Sequence, residues 1–214
     1  MSHPVVVVGA GGFGRETLDV LDAVNAVHTG SLEVLGVLDD APDPANLRRL
    51  AARGTAHLGP VDAWLEQGDQ EPQYVIAVGA PAARRALAKR FAAAGRVAAT
   101  VVHPSAVIGS LCQIGPGTII CSGVQVSTNV TLGAHVHLNP SATIGHDTVL
   151  GQFVSVNPSA TVSGECVVGE GALIGAASVV LQRITLGAGA VVGAAACVVR
   201  NVADNTVVRG VPAR

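Results

Sequence analysis

The chain has 214 residues, with 13 Lys and Arg against 15 Asp and Glu, a net charge of −2, 13% charged residues and 2% aromatics. That length suffices for one large or two modest domains, each able to bury a core, and the near-neutral balance gives no electrostatic case for nucleic acid or a membrane surface as partner. With no apolar run of about 18 residues and no basic region or cleavage pattern at the N-terminus, a cytoplasmic protein with no membrane partner is expected.

Residues Pro4 to Val8 form an apolar run that ends in Gly9-Ala10-Gly11-Gly12-Phe13-Gly14 and continues as Arg15-Glu16-Thr17-Leu18-Asp19-Val20-Leu21. A buried parallel strand, a glycine turn and an amphipathic helix are the natural reading. Gly9, Gly11 and Gly14 satisfy G-x-G-x-x-G, whose backbone N–H groups at a helix N-terminus can hold phosphate. A second strand, Glu33 to Leu38, ends in Asp39-Asp40, where Rossmann-type folds hold a ribose or sugar hydroxyl. A glycine motif of this kind also serves as a plain tight turn, or as half of a dinucleotide site. The dinucleotide reading needs a second mononucleotide half, and a domain ending near Val102 is too short for one.

A third strand, Tyr74 to Val78, closes with Gly79-Ala80-Pro81, and Ala82 to Ala94 then alternates Ala, Arg and Leu at helical spacing. The β-α-β-(α)-β-α order implies a small Rossmann-like parallel sheet over residues 1–102, with its ligand crevice at the carboxyl ends of the strands. Gly11, Gly12, Asp39, Asp40 and Gly79 are expected to line it. Val101-Val102-His103-Pro104-Ser105-Ala106 is the junction, where Pro104 forces an extended residue before it and His103 is read as structural.

From Ala106 to Asn201 an aliphatic residue returns at every sixth position: Ile108, Ile114, Ile120, Val126, Leu132, Leu138, Ile144, Leu150 and onward to Val198. Two residues before each stands a small or β-branched residue such as Thr118, Ala142, Thr148 or Ala160. A period of six fits neither a helix nor a two-faced strand, so it describes a repeated unit of short strand plus tight turn. One aliphatic and one small inward residue per hexad suit a narrow prism, and the Gly, Asn or Ser after the aliphatic is expected to supply the unusual turn dihedrals. Sixteen hexads at three per coil give about five coils, with residues eighteen apart stacked on neighbouring coils. That rule places Gly164 one coil above His146.

The solenoid histidines cluster at His135, His137 and His146. A zinc reading is disfavoured, because the first two are close in sequence and neither has a histidine eighteen residues away, so no metal is expected. His146 differs from them: it follows Gly145 at a corner and precedes Asp147, and an imidazole beside a carboxylate has the makings of a general base. A solvated corner histidine is the alternative. Cys112, Cys121, Cys166 and Cys197 lie at or near inward positions with no C-x-x-C pair and read as reduced core residues.

The segments VVVVGAGGFGRETLDVL, VLDD, VIAVGAP, VVHPSAVIG, ATIGHDTVLGQFVSVNPSATVSG and RGVPAR, in that order, resemble the hexapeptide-repeat nucleotide-sugar N-acetyltransferases. The sialic-acid O-acetyltransferases are close relatives of that family. The resemblance covers essentially the whole chain and implies a left-handed parallel β-helix for residues 103–214, acetyl-CoA as co-substrate, a homotrimer, and active sites between adjacent solenoids. Carried over residue by residue, His146 matches the base, Asp147 its acidic neighbour (usually Glu), and Gly164 the backbone N–H that holds the thioester oxygen. Gly11, Gly12, Phe13, Asp39, Asp40 and Gly79 match the nucleotide-sugar crevice, and Asn139 a polar residue near the sugar. Ser155, Ala176 and Ala194 fall where the family contacts CoA. Phe13 and Ser155 depart from the pattern, since some members carry His at each.

Three functions follow as alternatives. The first is acetyl transfer from acetyl-CoA to the amine of a nucleotide-linked amino-deoxy sugar by direct attack, with no covalent acyl-enzyme, since no cysteine occupies a corner beside a histidine. The second is O-acetylation of a sialic acid or other sugar hydroxyl by the same base. The third is a trimeric nucleotide-sugar-binding scaffold without chemistry. Apolar outward positions at Val149, Val167, Leu173, Val179 and Val191 point to solenoid faces covered by neighbouring copies.

Overall fold

The computed structural model of the chain describes residues 3–28, 31–67 and 72–214. It divides into two compact units, Met1–Pro104 and Ser105–Arg214.

Among the described residues the first unit is a small α/β layer structure. In chain order it runs β1 (His3–Val8), α1 (Gly12–Val27), β2 (Leu32–Leu38), α2 (Pro44–Ala52), α3 (Val61–Leu65), β3 (Gln73–Ile76) and α4 (Pro81–Ala93). The sheet is parallel in the order β2-β1-β3. Val5 to Val8, 0–1% exposed, form the central strand, as an unbroken apolar run does when both faces are covered. Helix α1 buries Thr17, Leu18, Val20 and Leu21. Two helices occupy the β2–β3 connection where one was expected. Asp43 caps the first of these, accepting the Ala45 N–H at 2.7 Å, and Pro44 sits at its first helical position.

The second unit is a left-handed-type parallel β-solenoid of about six turns, built from two-residue strands on three faces. Registers such as Thr143↔Thr161 and Ile144↔Val162 show that positions eighteen apart stack coil on coil. The interior follows the hexad pattern: Ile144, Val156, Val162 and Ile174 are 0% exposed, as are their small partners Ala142, Val154, Ala160 and Ala172.

Two expectations need correction. The coil count rises from about five to about six because strand Val207–Val208 carries the solenoid past the hexad series, in a last turn shorter than the repeat. Leu186 bridges to Val202, and Val192 pairs with Val208, sixteen residues on instead of eighteen, so the hexad series breaks before the solenoid ends. The left-handed dihedrals fall three residues after each aliphatic, at Asn129 (φ 58°), Asp147 (φ 57°) and Glu165 (φ 59°) among others, and not on the residue immediately after it. Where that residue is glycine it serves close approach: a Cβ on Gly145 would run into the Gly164 N and Ser163 C of the next coil.

Candidate active site

His146 stands at the corner between strands Thr143–Ile144 and Val149–Leu150. The corner is held to both neighbouring coils. Asp147 N–H donates to Thr128 O at 3.1 Å, and Glu165 N–H donates to His146 O at 2.8 Å. The left-handed backbone at Asp147, a conformation Asp tolerates better than most residues, turns its carboxylate beside the preceding ring. His146 Nδ1 and Asp147 Oδ2 lie 2.7 Å apart, with side chains 54% and 47% exposed, so the pair is solvent-accessible. Asp147 Oδ1 accepts from Asn129 Nδ2 at 3.0 Å. The His146 hydrogen bond first, and the Asn129 bond second, hold the Asp147 carboxyl below the usual carboxylate range.

A charged carboxylate only accepts, so a neutral His146 carries its proton on Nδ1 and leaves the Nε2 lone pair outward. Nε2 lies over Gly164: a Cβ there would fall 2.6 Å from it. The Gly164 N–H donates to no acceptor among the described residues. One corner therefore offers a lone pair, an ionised carboxylate behind it and an uncommitted N–H one coil on. That combination suits removal of a proton from a nucleophile attacking a carbonyl whose oxygen gains charge.

The other expected solenoid positions lie elsewhere. Asn139 is at the preceding corner, where its Nδ2 donates to Val156 O at 2.9 Å and reaches Asn157 Oδ1 at 3.4 Å. Ala176 and Ala194 stack at that same corner on later coils, joined by Ala195 N–H to Ala176 O at 2.8 Å, and both keep accessible surface. Ser155 does not: in register between His137 and Leu173 it is 2% exposed. Within one chain, the His146 corner and the Ala176–Ala194 corner do not meet.

In the first unit Gly9 takes φ +115°, and a Cβ on Gly14 would run into Gly9 O, so these two glycines make the strand-to-helix turn. Gly11, Gly12 and Gly79 have nothing within 4 Å of a built Cβ, leaving open space beside the N-terminus of α1 and the turn into α4. Phe13 lies in the first turn of α1, half-buried, its carbonyl taking the Thr17 hydroxyl at 2.8 Å. A cleft of about 130 Å³ at the carboxyl ends of the strands is lined by Val8, Gly9, Asp39, Asp40, Val61 and Val78 among others. Its two acids already have protein partners. Asp39 accepts the Ala10 N–H at 2.8 Å and the Ala41 N–H at 2.9 Å, fixing the glycine turn. Asp40 accepts the Val61 N–H at 2.8 Å and pairs with Arg90 at 2.5 Å, which holds its carboxyl below the usual range. Arg84, 0% exposed, braces the opposite side by donating to Val78 O and Gly79 O.

Asn129, Glu165 and Arg183 are absent from the expected site yet share the column of Asp147. Glu165 and Arg183 form a two-pronged pair with both contacts at 3.1 Å. The eighteen-residue rule, applied to Asp147 as it was to His146, finds Asn129 and Glu165.

Residues 4–91 match the PglD N-terminal domain family. GDP-perosamine N-acetyltransferase of Escherichia coli O157:H7 is 28% identical over 141 residues, 66% of this chain, and the match spans only 61% of that relative's length. The acetyltransferase domain of PglB from Neisseria gonorrhoeae FA1090 is 28% identical with a TM-score of 0.88, over 100% of this chain and 99% of that one. That domain is also known in complex with acetyl coenzyme A. PerB from Caulobacter crescentus, in complex with CoA and GDP-perosamine, is 29% identical with a TM-score of 0.86, over 99% of this chain and 96% of its own.

Proposed function

We propose that this chain, a homologue of the nucleotide-sugar N-acetyltransferases, moves an acetyl group from acetyl-CoA to the amine of a nucleotide-linked amino-deoxy sugar. The observation that carries the reading is the His146–Asp147 contact of 2.7 Å with the other ring nitrogen over Gly164. The sugar amine attacks the thioester carbonyl and gives up a proton to His146 Nε2. Asp147 holds the ring in the tautomer that leaves Nε2 free and stabilises the imidazolium that forms. The Gly164 N–H donates to the oxygen of the tetrahedral intermediate, whose collapse releases CoA. No covalent acyl-enzyme is needed.

The first unit acts as a Rossmann-like nucleotide-sugar-binding domain. Phosphate sits at the glycine turn and the N-terminus of α1, beside Gly11, Gly12 and Phe13, with Asp39, Asp40 and Gly79 bounding the same crevice. Asn139 contacts the sugar, and the CoA arm runs along Ala176 and Ala194. Because those corners do not meet within a chain, the working unit is a cyclic homotrimer in which one copy contributes His146 and its neighbour the CoA wall.

Free thiol released from acetyl-CoA, measured against UDP-, dTDP- and GDP-linked amino sugars and against sialic acids, tests this function. Turnover with an amino sugar is expected. Turnover confined to hydroxyl acceptors would replace it with O-acetylation, and nucleotide-sugar binding with no turnover at all would replace it with a binding scaffold.

A further inference from the structure

The Asp147 carboxylate is half exposed, and the torsion that orients such a group is broad and roughly two-fold, so its own rotamer preferences do not aim it at His146. Contacts on either side must do so. Its Oδ2 faces His146 Nδ1, and its Oδ1 is taken by the Asn129 amide from one coil below, at 3.0 Å. Asn129 is itself tied down, since its N–H donates to Ser110 O at 3.0 Å and its backbone has the left-handed dihedral that Asn accepts readily (φ 58°). The next coil offers no such donor to Asp147: Glu165 stacks above it, and both Glu165 oxygens are occupied by Arg183. The Asn129 amide is thus the one side-chain donor, besides the imidazole, that holds Asp147 among the described residues.

We infer that Asn129 is a positioning residue: acting through Asp147, it fixes the carboxylate that selects the Nδ1–H tautomer of His146 and so keeps Nε2 available as base. This role rests on the proposed function for its catalytic consequence, though not for the tautomer itself. The charged groups facing the imidazole along this column are Asp147, Glu165 and, through Glu165, Arg183; Asn129 is the neutral member that can aim a carboxylate without competing for its charge.

The test is Asn129→Gly, which removes the amide and keeps a residue at ease with the left-handed backbone, read by ¹⁵N-histidine NMR of the whole protein without substrate. The His146 signals are assigned by their loss in His146→Gln. The wild-type protein is expected to show neutral His146 predominantly as the Nδ1–H form, and Asn129→Gly a shift towards the mixture typical of a free imidazole. With the amino-sugar acceptor, kcat is expected to fall about 10- to 100-fold, the usual scale for a misplaced catalytic group, with KM for acetyl-CoA unchanged. Asn129→Asp, which keeps size and backbone preference but puts a like charge against Asp147, is expected to lose at least as much. An unchanged His146 tautomer in both variants, or an unchanged kcat in a variant whose tautomer has shifted, overturns the proposal. A wild-type protein inactive on every acceptor would instead remove the proposed function while leaving the tautomer result to decide the role of Asn129.

Discussion

Gly164 lies one coil beyond His146 so closely beneath the ring that a Cβ on it would sit 2.6 Å from Nε2 and 2.7 Å from Cε1. The Gly164 backbone itself is outside the left-handed region, so alanine fits its dihedrals and the three nearest atoms a Cβ would meet all belong to the imidazole. Gly164→Ala should displace the ring from its place above the N–H and lower kcat by roughly 10²-fold, with the melting transition little changed. Steady-state kinetics beside a circular-dichroism melt decide it: a near-normal rate would mean that Nε2 does its work elsewhere.

Asp147→Asn keeps the shape of the side chain and removes its charge. The carboxyl, held low first by His146 and then by Asn129, is ionised throughout the range in which a histidine base works. For a carboxylate with a lowered folded pKa, the stabilising contact is present above the ordinary carboxylate range and is lost as pH falls through the lowered value. At this exposed site that term affects stability little. Its kinetic effect is larger. Losing the charge removes both the acceptor that keeps the ring proton on Nδ1 and the partner of the imidazolium formed in the transition state, so the plateau of kcat/KM should fall. A plateau that stays at the wild-type level would separate Asp147 from the base.

The solenoid was legible because its core repeats: an inward aliphatic every six residues and stacking every eighteen are written directly into residues 108–198, and they put His146 and Gly164 together. The last turn was not, because its sixteen-residue spacing at Leu186–Val202 abandons that period. The role of the glycines after each aliphatic was also hidden. Gly145 looks the same in sequence whether it serves a dihedral or a close approach, and only the position of Gly164 N tells them apart.

Ile144 fills the prism directly before the Gly145–His146 corner and is 0% exposed. Ile144→Ala leaves a void bounded by coils that cannot collapse onto it without breaking their eighteen-residue register, so a loss of about 2–5 kcal/mol is expected. Ile144→Val, removing one methyl, should cost about 0.5–1.5 kcal/mol. Denaturant unfolding at fixed protein concentration measures both. Equal small effects would indicate that the interior relaxes around the site and that the corner is not rigidly supported.

If each active site takes His146 from one chain and its CoA wall from the next, two inactive variants should complement each other. His146→Ala removes the base. Ala194→Glu, at an exposed corner position, places a negative charge where the anionic CoA has to lie and should raise KM for acetyl-CoA sharply. A site in a mixed trimer works only when its base comes from an Ala194→Glu chain and its wall from a His146→Ala chain. Random exchange of equal amounts therefore restores about a quarter of the sites in a cyclic assembly. Sites contained within single chains would restore none. Co-refolding the two variants, confirming a trimer mass by light scattering and assaying thiol release distinguishes the cases. A monomer mass for active enzyme would end the shared-site geometry outright, and a trimer with no recovered activity would show that base and wall come from the same chain.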